Sequence, residues 1–224
     1  MKRSEINQLI VKAKDFFEEM NFKLPPWGYW PPEEWKGKEE MYQEISENNL
    51  GWDLTDFGCN DFYNRGLLLF TIRNGNIKKD KKPYAEKIMI VEENQETPLH
   101  FHWNKMEDII NRGGGNLVLE LYNSTAKNEL ADTEVSVKTD GIVRKIPAGG
   151  KIVLSPGESI TLVQGLYHRF YGEEGKGKVL VGEVSAVNDD NTDNCFYKNI
   201  GRFPEIVEDE MPVHLLVSDY KNFF

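Results

Sequence analysis

Residues 97–124 read TPLHFHWNKMEDIINRGGGNLVLELYNS. Through Leu99, His100, Phe101, His102 and Trp103 the side chains follow the period of a strand, in which neighbours point to opposite faces. Gly113, Gly114 and Gly115 then break the chain, and Leu117, Leu119 and Leu121 restart the alternation. The same pattern extends outward in both directions as LLLFTIR (67–73), KIMIVEE (87–93), VSVKTDG (135–141), KIVLSP (151–156), SITLV (159–163) and KVLVGEVSAV (178–187). Gly, Asn, Asp or Pro punctuate these segments, and no helix of about 10–15 residues lies between them to make βαβ crossovers. An all-β-dominated antiparallel sandwich or closed barrel is therefore expected.

Ahead of the strands, Ile6, Leu9, Ile10, Ala13, Phe16, Phe17 and Met20 recur at spacings of three and four, which predicts a helix over 3–20 with one apolar stripe and Ser4 as its cap. The segment LPPWGYWPPEEWKG (24–37) pairs Pro-Pro steps with Trp and Tyr, and reads as an aromatic-rich arm that runs extended or in turns, rather than as helix or strand, packed on the barrel. The lysine-rich run from Asn76 to Pro83 reads as an exposed loop.

Composition narrows the class of function. The 224 residues suit one domain with a sizeable core. A formal charge of −10, from 27 Lys and Arg against 37 Asp and Glu, argues against nucleic acid, because a phosphate binder needs basic surface to displace counterions. No apolar run approaches the roughly 20 residues that span a bilayer, and the start is too charged for a signal peptide, so a cytoplasmic location is expected. Cys59 and Cys195, in no C-x-x-C arrangement, point to ordinary thiols.

The chemistry gathers around the histidines. His100 and His102 share one face of their strand, a pair suited to hold a metal ion, although two histidines on one face also arise by chance. Glu107, on the strand returning from the turn, can swing back beside them. His168, on a later β segment after Gly165, would complete a set that leaves open positions on an octahedral ion. Glu183 lies in VLVGEVS on a face expected to be apolar, where burial would raise its pKa toward that of a general base; the plainer reading is a carboxylate salt-bridged at a barrel rim. Lys105 either leans over the metal site or is an exposed turn lysine. Lys87 within its strand needs a partner or a cavity, and Glu120 points inward or outward. Asp189 and Asp190 either reach a substrate or sit in a solvated loop. His214, in the acidic tail, reads as a surface or packing residue.

Two runs match a known pattern. His100-x-His102-x4-Glu107-x6-Gly114 resembles the first signature of the cupin superfamily and Gly157-x5-Val163-x-Gly165-x2-His168 the second, with Asn94, Val163 and Gly172 standing where Gly, Pro and Asn are usual. More narrowly, LPPWGYW, LGWDLTDFG, LFTIRNG, PYAEKIMIVEENQETPLHFHWNKMEDIINRGGGNLVLELYNS, SPGESITLVQGLYH and LVGEVSAVNDDNTDN resemble the D-lyxose isomerases, cupin-type sugar isomerases. The resemblance implies a cupin (double-stranded β-helix, or jelly-roll) barrel and a metal-dependent interconversion of D-lyxose and D-xylulose, often with D-mannose and D-fructose as a second pair, usually with Mn²⁺. In that setting Lys105 and Glu183 are the catalytic candidates, and Lys87, Glu120, Asp189 and Asp190 the substrate-binding ones.

The expected organisation is a helix and arm over 1–64, a barrel over 65–187 and a C-terminal extension over 188–224, all in one structural domain. Edge strands and an exposed arm make a homodimer the expected assembly, and a small sugar is the expected ligand. The same ligands also serve Fe²⁺-dependent cupin dioxygenases, and a non-catalytic sugar-binding cupin keeps the barrel. A phosphosugar isomerase would need a phosphate cradle, for which only Arg73 and the lysines of 76–83 are candidates.

Overall fold

The structure, a computed structural model, describes residues 1–79, 81–189, 192–198, 200–201 and 203–223. Among these residues two antiparallel sheets carry the fold. The larger has the order β1 (Gly51–Thr55), β2 (Leu67–Arg73), β3 (Tyr84–Val91), β12 (Val179–Ala186), β5 (Glu107–Gly114), β10 (Ser159–Leu162), β7 (Val135–Thr139) and β8 (Ile142–Ile146). The smaller has the order β13 (Asn194–Phe196), β4 (His100–His102), β11 (Leu166–Gly172), β6 (Leu117–Asn123) and β9 (Gly150–Leu154).

Alternation turns one face of each sheet toward the other. Met89, Val91, Ile109, Ile160, Val179 and Val181 from the larger sheet meet Leu117, Leu119, Leu121, Ile152 and Phe170 from the smaller in one buried cluster. Each such side chain contributes about 1.5–3 kcal/mol through its removal from water. The opposite parity of β3 and β12 (Ile88, Ile90 and Leu180) joins Trp52, Leu54, Leu68 and Phe70 on the outer face of the larger sheet. Helix α1 (Arg3–Glu19) covers that face with Ile6, Ile10, Ala13, Phe16 and Phe17.

The ends of α1 differ from expectation. Ser4 does not cap it; instead Asp209 of the C-terminal tail accepts from the Ser4 N–H at 2.9 Å and from the Ser4 hydroxyl at 2.8 Å. At the other end Asn21 takes a left-handed backbone (φ 59°), and the Phe22 N–H closes back to the Phe17 carbonyl at 2.8 Å, which stops the helix.

The pieces ahead of and behind the central strands join the fold closely. Both sheets reach beyond 65–187, because β1 lies ahead of that span and β13 after it. The segment from Pro26, expected to run extended or in turns rather than as helix, forms a 3-10 turn over Pro26–Tyr29 and one α-helical turn over Pro32–Trp35, each with proline in its first turn, where the missing N–H costs nothing. The arm is not exposed, since Trp35 and Tyr42 are buried against Leu215 and Tyr220 of the tail. The tail is fastened by Arg3, whose guanidinium donates to Asp219 at 3.0 and 2.8 Å and to Glu208 at 2.8 and 2.7 Å.

The departures from the cupin signatures have local reasons. Asn94 adopts φ 56°, a left-handed conformation that asparagine tolerates better than other side chains. Gly172 pairs with Glu93 so closely that a Cβ would lie 2.7 Å from the Glu92 carbonyl oxygen.

Candidate active site

The inner faces are apolar at one end and polar at the other, and the polar end holds the histidines. His100 lies directly across the ladder from His168, and His102 two residues on shares its face. Their ring centroids are 4.3 Å (His100 to His168), 5.0 Å (His100 to His102) and 5.5 Å (His102 to His168) apart. By the same parity Phe101 and Tyr167 face away and pack together at 4.8 Å, and Trp103 packs on Phe101 at 4.7 Å.

Backbone carbonyls set the imidazole orientations. Nδ1 of His100 is 2.8 Å from the Pro98 oxygen and Nδ1 of His168 is 3.0 Å from the Leu166 oxygen. As donors there, both rings turn an Nε2 lone pair into the site. His168 Nε2 and His102 Nδ1 are buried without a hydrogen-bond partner among the described residues. Glu107 Oε1 stands 3.3 Å from His102 Nε2 and 3.2 Å from His168 Nε2, the latter outside hydrogen-bond alignment.

One ligating nitrogen from each of His100, His102 and His168 lies within 4.8 Å of the others. Burial and the neighbouring imidazoles hold His100 well below its ordinary pKa, and burial lowers His102. The His100 and His102 rings are held neutral, with lone pairs able to bind. With a carboxylate alongside, the donor set suits a divalent first-row cation.

Beyond Glu107 the polar end becomes an ion-pair network. Lys105 Nζ is ion-paired with Glu107 Oε2 at 2.7 Å and donates to Glu183 Oε1 at 2.9 Å and to Asn188 Oδ1 at 3.2 Å. Lys87 Nζ donates to Asn188 Oδ1 at 2.7 Å and stands 3.5 Å from Glu183 Oε1. Register explains the meeting: Glu183 on β12 is paired with Lys87 on β3. Lys105 is not an exposed turn lysine, because Asp193 accepts the N–H groups of Asn104 (2.7 Å) and Lys105 (2.9 Å) and folds the 103–106 turn inward.

The expected rise in the Glu183 pKa does not occur. Burial pushes this carboxyl up, but Lys105 and Lys87 together outweigh it and hold it below the ordinary value. Glu107 is likewise pushed up by burial and is held well below its ordinary value chiefly by Lys105 and His102. Both carboxylates are ionised.

These groups line a cavity of about 430 Å³ that also contains Asp53, Phe57, Phe196 and Phe203. Other candidates fall elsewhere. Glu120 alternates with the core residues Leu119 and Leu121 and so points to the far face, where Arg169 binds it at 2.8 Å and the Tyr122 hydroxyl at 3.1 Å. Asp189 is exposed and lines a neighbouring cavity, accepting from the Thr192 hydroxyl at 2.7 Å. Asp190 lies outside the described residues. His214 is a buried packing residue, stacked on Trp52 and held between Lys14 Nζ and the Trp30 oxygen at 2.9 Å each. Among the lysines offered for a phosphate, Lys79 and Lys82 pair with Glu47 and Glu44, and Arg73 pairs with Glu86. Asn188 and Asp193 were not foreseen; both sit in NDDNTDN, whose polar run reads as a solvated loop unless the turn at Lys105 is known to need an acceptor.

Comparison with known proteins bears on the same chemistry. The family model described as D-lyxose isomerase matches residues 1–220. The D-lyxose/D-mannose isomerase of Serratia proteamaculans is 49% identical over 226 residues, spanning 100% of this chain and 99% of that protein. That of Escherichia coli O157:H7 is 48% identical over 226 residues and 100% of both chains. Among solved structures, the unliganded L-ribose isomerase of Cellulomonas parahominis has a TM-score of 0.62 at 15% identity, covering 92% of this chain and 98% of that one. The L-ribose isomerase of Acinetobacter sp. DL28 in complex with L-ribose has a TM-score of 0.60 at 12% identity, covering 89% and 93%. At such identity the likeness shows the fold alone, the cupin barrel expected above. The close relatives are sugar isomerases, and their match runs the length of the chain, through the arm, the histidine strands and the Glu183 strand alike. The chain belongs to the D-lyxose isomerase family and is a sugar isomerase.

Proposed function

We propose that the protein interconverts D-lyxose and D-xylulose, with D-mannose and D-fructose as a second pair, through an enediol intermediate. The observation that carries this reading is one cavity holding His100, His102, His168 and Glu107 on one side and the Lys105–Glu183–Lys87 network on the other. Bound by those four residues, Mn²⁺ or another divalent first-row ion would supply Lewis acidity toward two adjacent sugar oxygens, lowering the barrier to removal of a carbon-bound proton. The chain's own groups do the rest.

Glu183 is ionised and buried. The hydrogen bonds it accepts from described side chains, from Lys105 at 2.9 Å and Ser185 at 3.1 Å, fall on Oε1. That leaves Oε2 to take the proton from C2 of the aldose and, with exchange of the carboxyl proton with solvent in between, to deliver a proton to C1. Glu107 is less suited, because the imidazoles take one oxygen and Lys105 the other. The Lys105 ammonium lies beside both carboxylates, where it can donate to the sugar oxygen on which negative charge develops. Lys87 stands at the same Glu183 oxygen as Lys105, and Phe57, Phe196 and Phe203 form part of the cavity lining.

The reading includes a homodimer, testable by light scattering on the eluted protein. No helix among the described residues is long and apolar enough to cross a membrane. The test of function is depletion and restoration. Chelator-treated protein is expected to lose D-xylulose formation from D-lyxose and to regain it with Mn²⁺. Full turnover by metal-free protein, or none by loaded protein with either aldose, would overturn the reading.

A further inference from the structure

We propose that Asn188, clamped by Asn74, is a positioning residue for proton transfer: its side-chain oxygen fixes the ammonium groups of Lys87 and Lys105, and through them Glu183. The inference rests on the isomerase reading above and extends it to a residue that touches neither the histidines nor their carboxylate.

Asn188 stands two residues beyond β12, the strand that carries Glu183. Its Oδ1 accepts from Lys87 at 2.7 Å and from Lys105 at 3.2 Å. An ammonium group offers donors only, so the atom between two lysines has to be an acceptor, which fixes the amide orientation. A single oxygen thus spans cations that come from β3 and from the 103–106 turn, elements with no backbone pairing to each other.

The oxygen is useful as a reference point only if Asn188 itself cannot drift. Asn74, buried just past the end of β2, supplies that restraint. Its Oδ1 accepts the Asn188 N–H at 2.9 Å and its Nδ2 donates to the Asn188 carbonyl at 3.0 Å. One amide therefore grips both backbone polar groups of one residue. Asn74 is anchored in turn: its Nδ2 donates to the Asn48 carbonyl at 3.2 Å, and Asn48 Nδ2 donates to the Asn74 carbonyl at 2.9 Å. The chain of amides runs from the arm, through the end of β2, to the lysines.

The amide differs from a carboxylate in one respect that matters here. A neutral acceptor orients both ammonium groups without cancelling their field at Glu183. A third carboxylate at the same place would keep the hydrogen bonds but compete with Glu183 for the same charges. Asn188 also lines the neighbouring cavity of about 530 Å³.

The experiment uses the full chain, loaded with Mn²⁺ and assayed with D-lyxose as wild type, Asn188→Ala and Asn188→Asp. Folding and metal loading are read from the Mn²⁺-dependent shift in melting temperature. The expected result for Asn188→Ala is a kcat lower by about ten- to a hundredfold with KM within about threefold, since the lysines lose their reference while the metal ligands remain. Asn188→Asp restores the acceptor and is expected to recover part of that loss, with the acid limb of its kcat profile displaced to higher pH by the added negative charge. If Asn188→Ala does not fold, Asn188→Ser, whose hydroxyl falls short of both lysines, carries the same expectation. A folded, loaded Ala or Ser variant within twofold of wild-type kcat overturns the inference, as does an Asp variant that recovers nothing. An inactive wild type would instead defeat the isomerase reading and this inference with it.

Discussion

Glu183 shows how far a residue's surroundings alter what its sequence position suggests. Period two correctly groups it with Val179 and Val181 on the inward face, but it says nothing about the strand alongside, and that strand brings Lys87 opposite. A carboxylate isolated among valines would be protonated at neutral pH, whereas one between two ammonium groups is ionised and ready to accept a proton. Glu183→Gln keeps the shape and removes the carboxylate proposed as the base. Its kcat on D-lyxose is expected to fall by at least about a hundredfold with KM little changed, as steady-state kinetics would show. The histidines were legible because their spacing within one strand already fixes a shared face. Glu120 was not, since its orientation depends on which parity of β6 meets the core, and Leu119 and Leu121 take the inner face.

At the scale of elements, the pieces ahead of and behind the barrel hold each other. Arg3 at the start of α1 is buried against Asp219, with Glu208 completing its fork. Arg3→Ala would leave the Asp219 charge buried without its partner, and a loss of about 3 kcal/mol in urea unfolding is expected. The same junction makes the tail acid-sensitive. The hydrogen bond from Arg3 lowers the Glu208 pKa below 4.5, and that from the Ser4 backbone lowers the Asp209 pKa below 3.8. For depressed carboxylates the stabilisation is complete above those ordinary values and is lost as pH falls through the lowered ones. Amide exchange at residues 3–6, corrected for intrinsic rate, should therefore quicken below about pH 4 and not between pH 5 and 8. Helix α1 could be read from its apolar stripe alone, but its cap could not, because Asp209 lies at the far end of the chain. Strand β8 was missed for a related reason: exposed over most of its length, it shows no alternation to read.

At the scale of the whole molecule, the two sheets bring His168 to His100 and Glu183 to Lys87, so the site exists only when the barrel is closed. A ligand that binds the folded state alone raises its stability, by about 2.7 kcal/mol at a concentration a hundred times Kd. Mn²⁺ is expected to raise the melting temperature of the wild type and to leave that of His168→Ala unmoved, as differential scanning calorimetry would show. The strands and the histidine cluster were legible from TPLHFHWNKME and His168 because strand period and side-chain spacing are local. The lysine network was not, since it is assembled across β3, β12 and two turns. The central claim is that a carboxylate in this cavity carries a proton between C2 and C1 of an aldose. It is tested most directly by letting Mn²⁺-loaded enzyme convert D-lyxose in D₂O and locating deuterium by NMR. The account predicts D-xylulose labelled at C1; D-xylulose formed with the original C2 hydrogen wholly retained at C1 would contradict it.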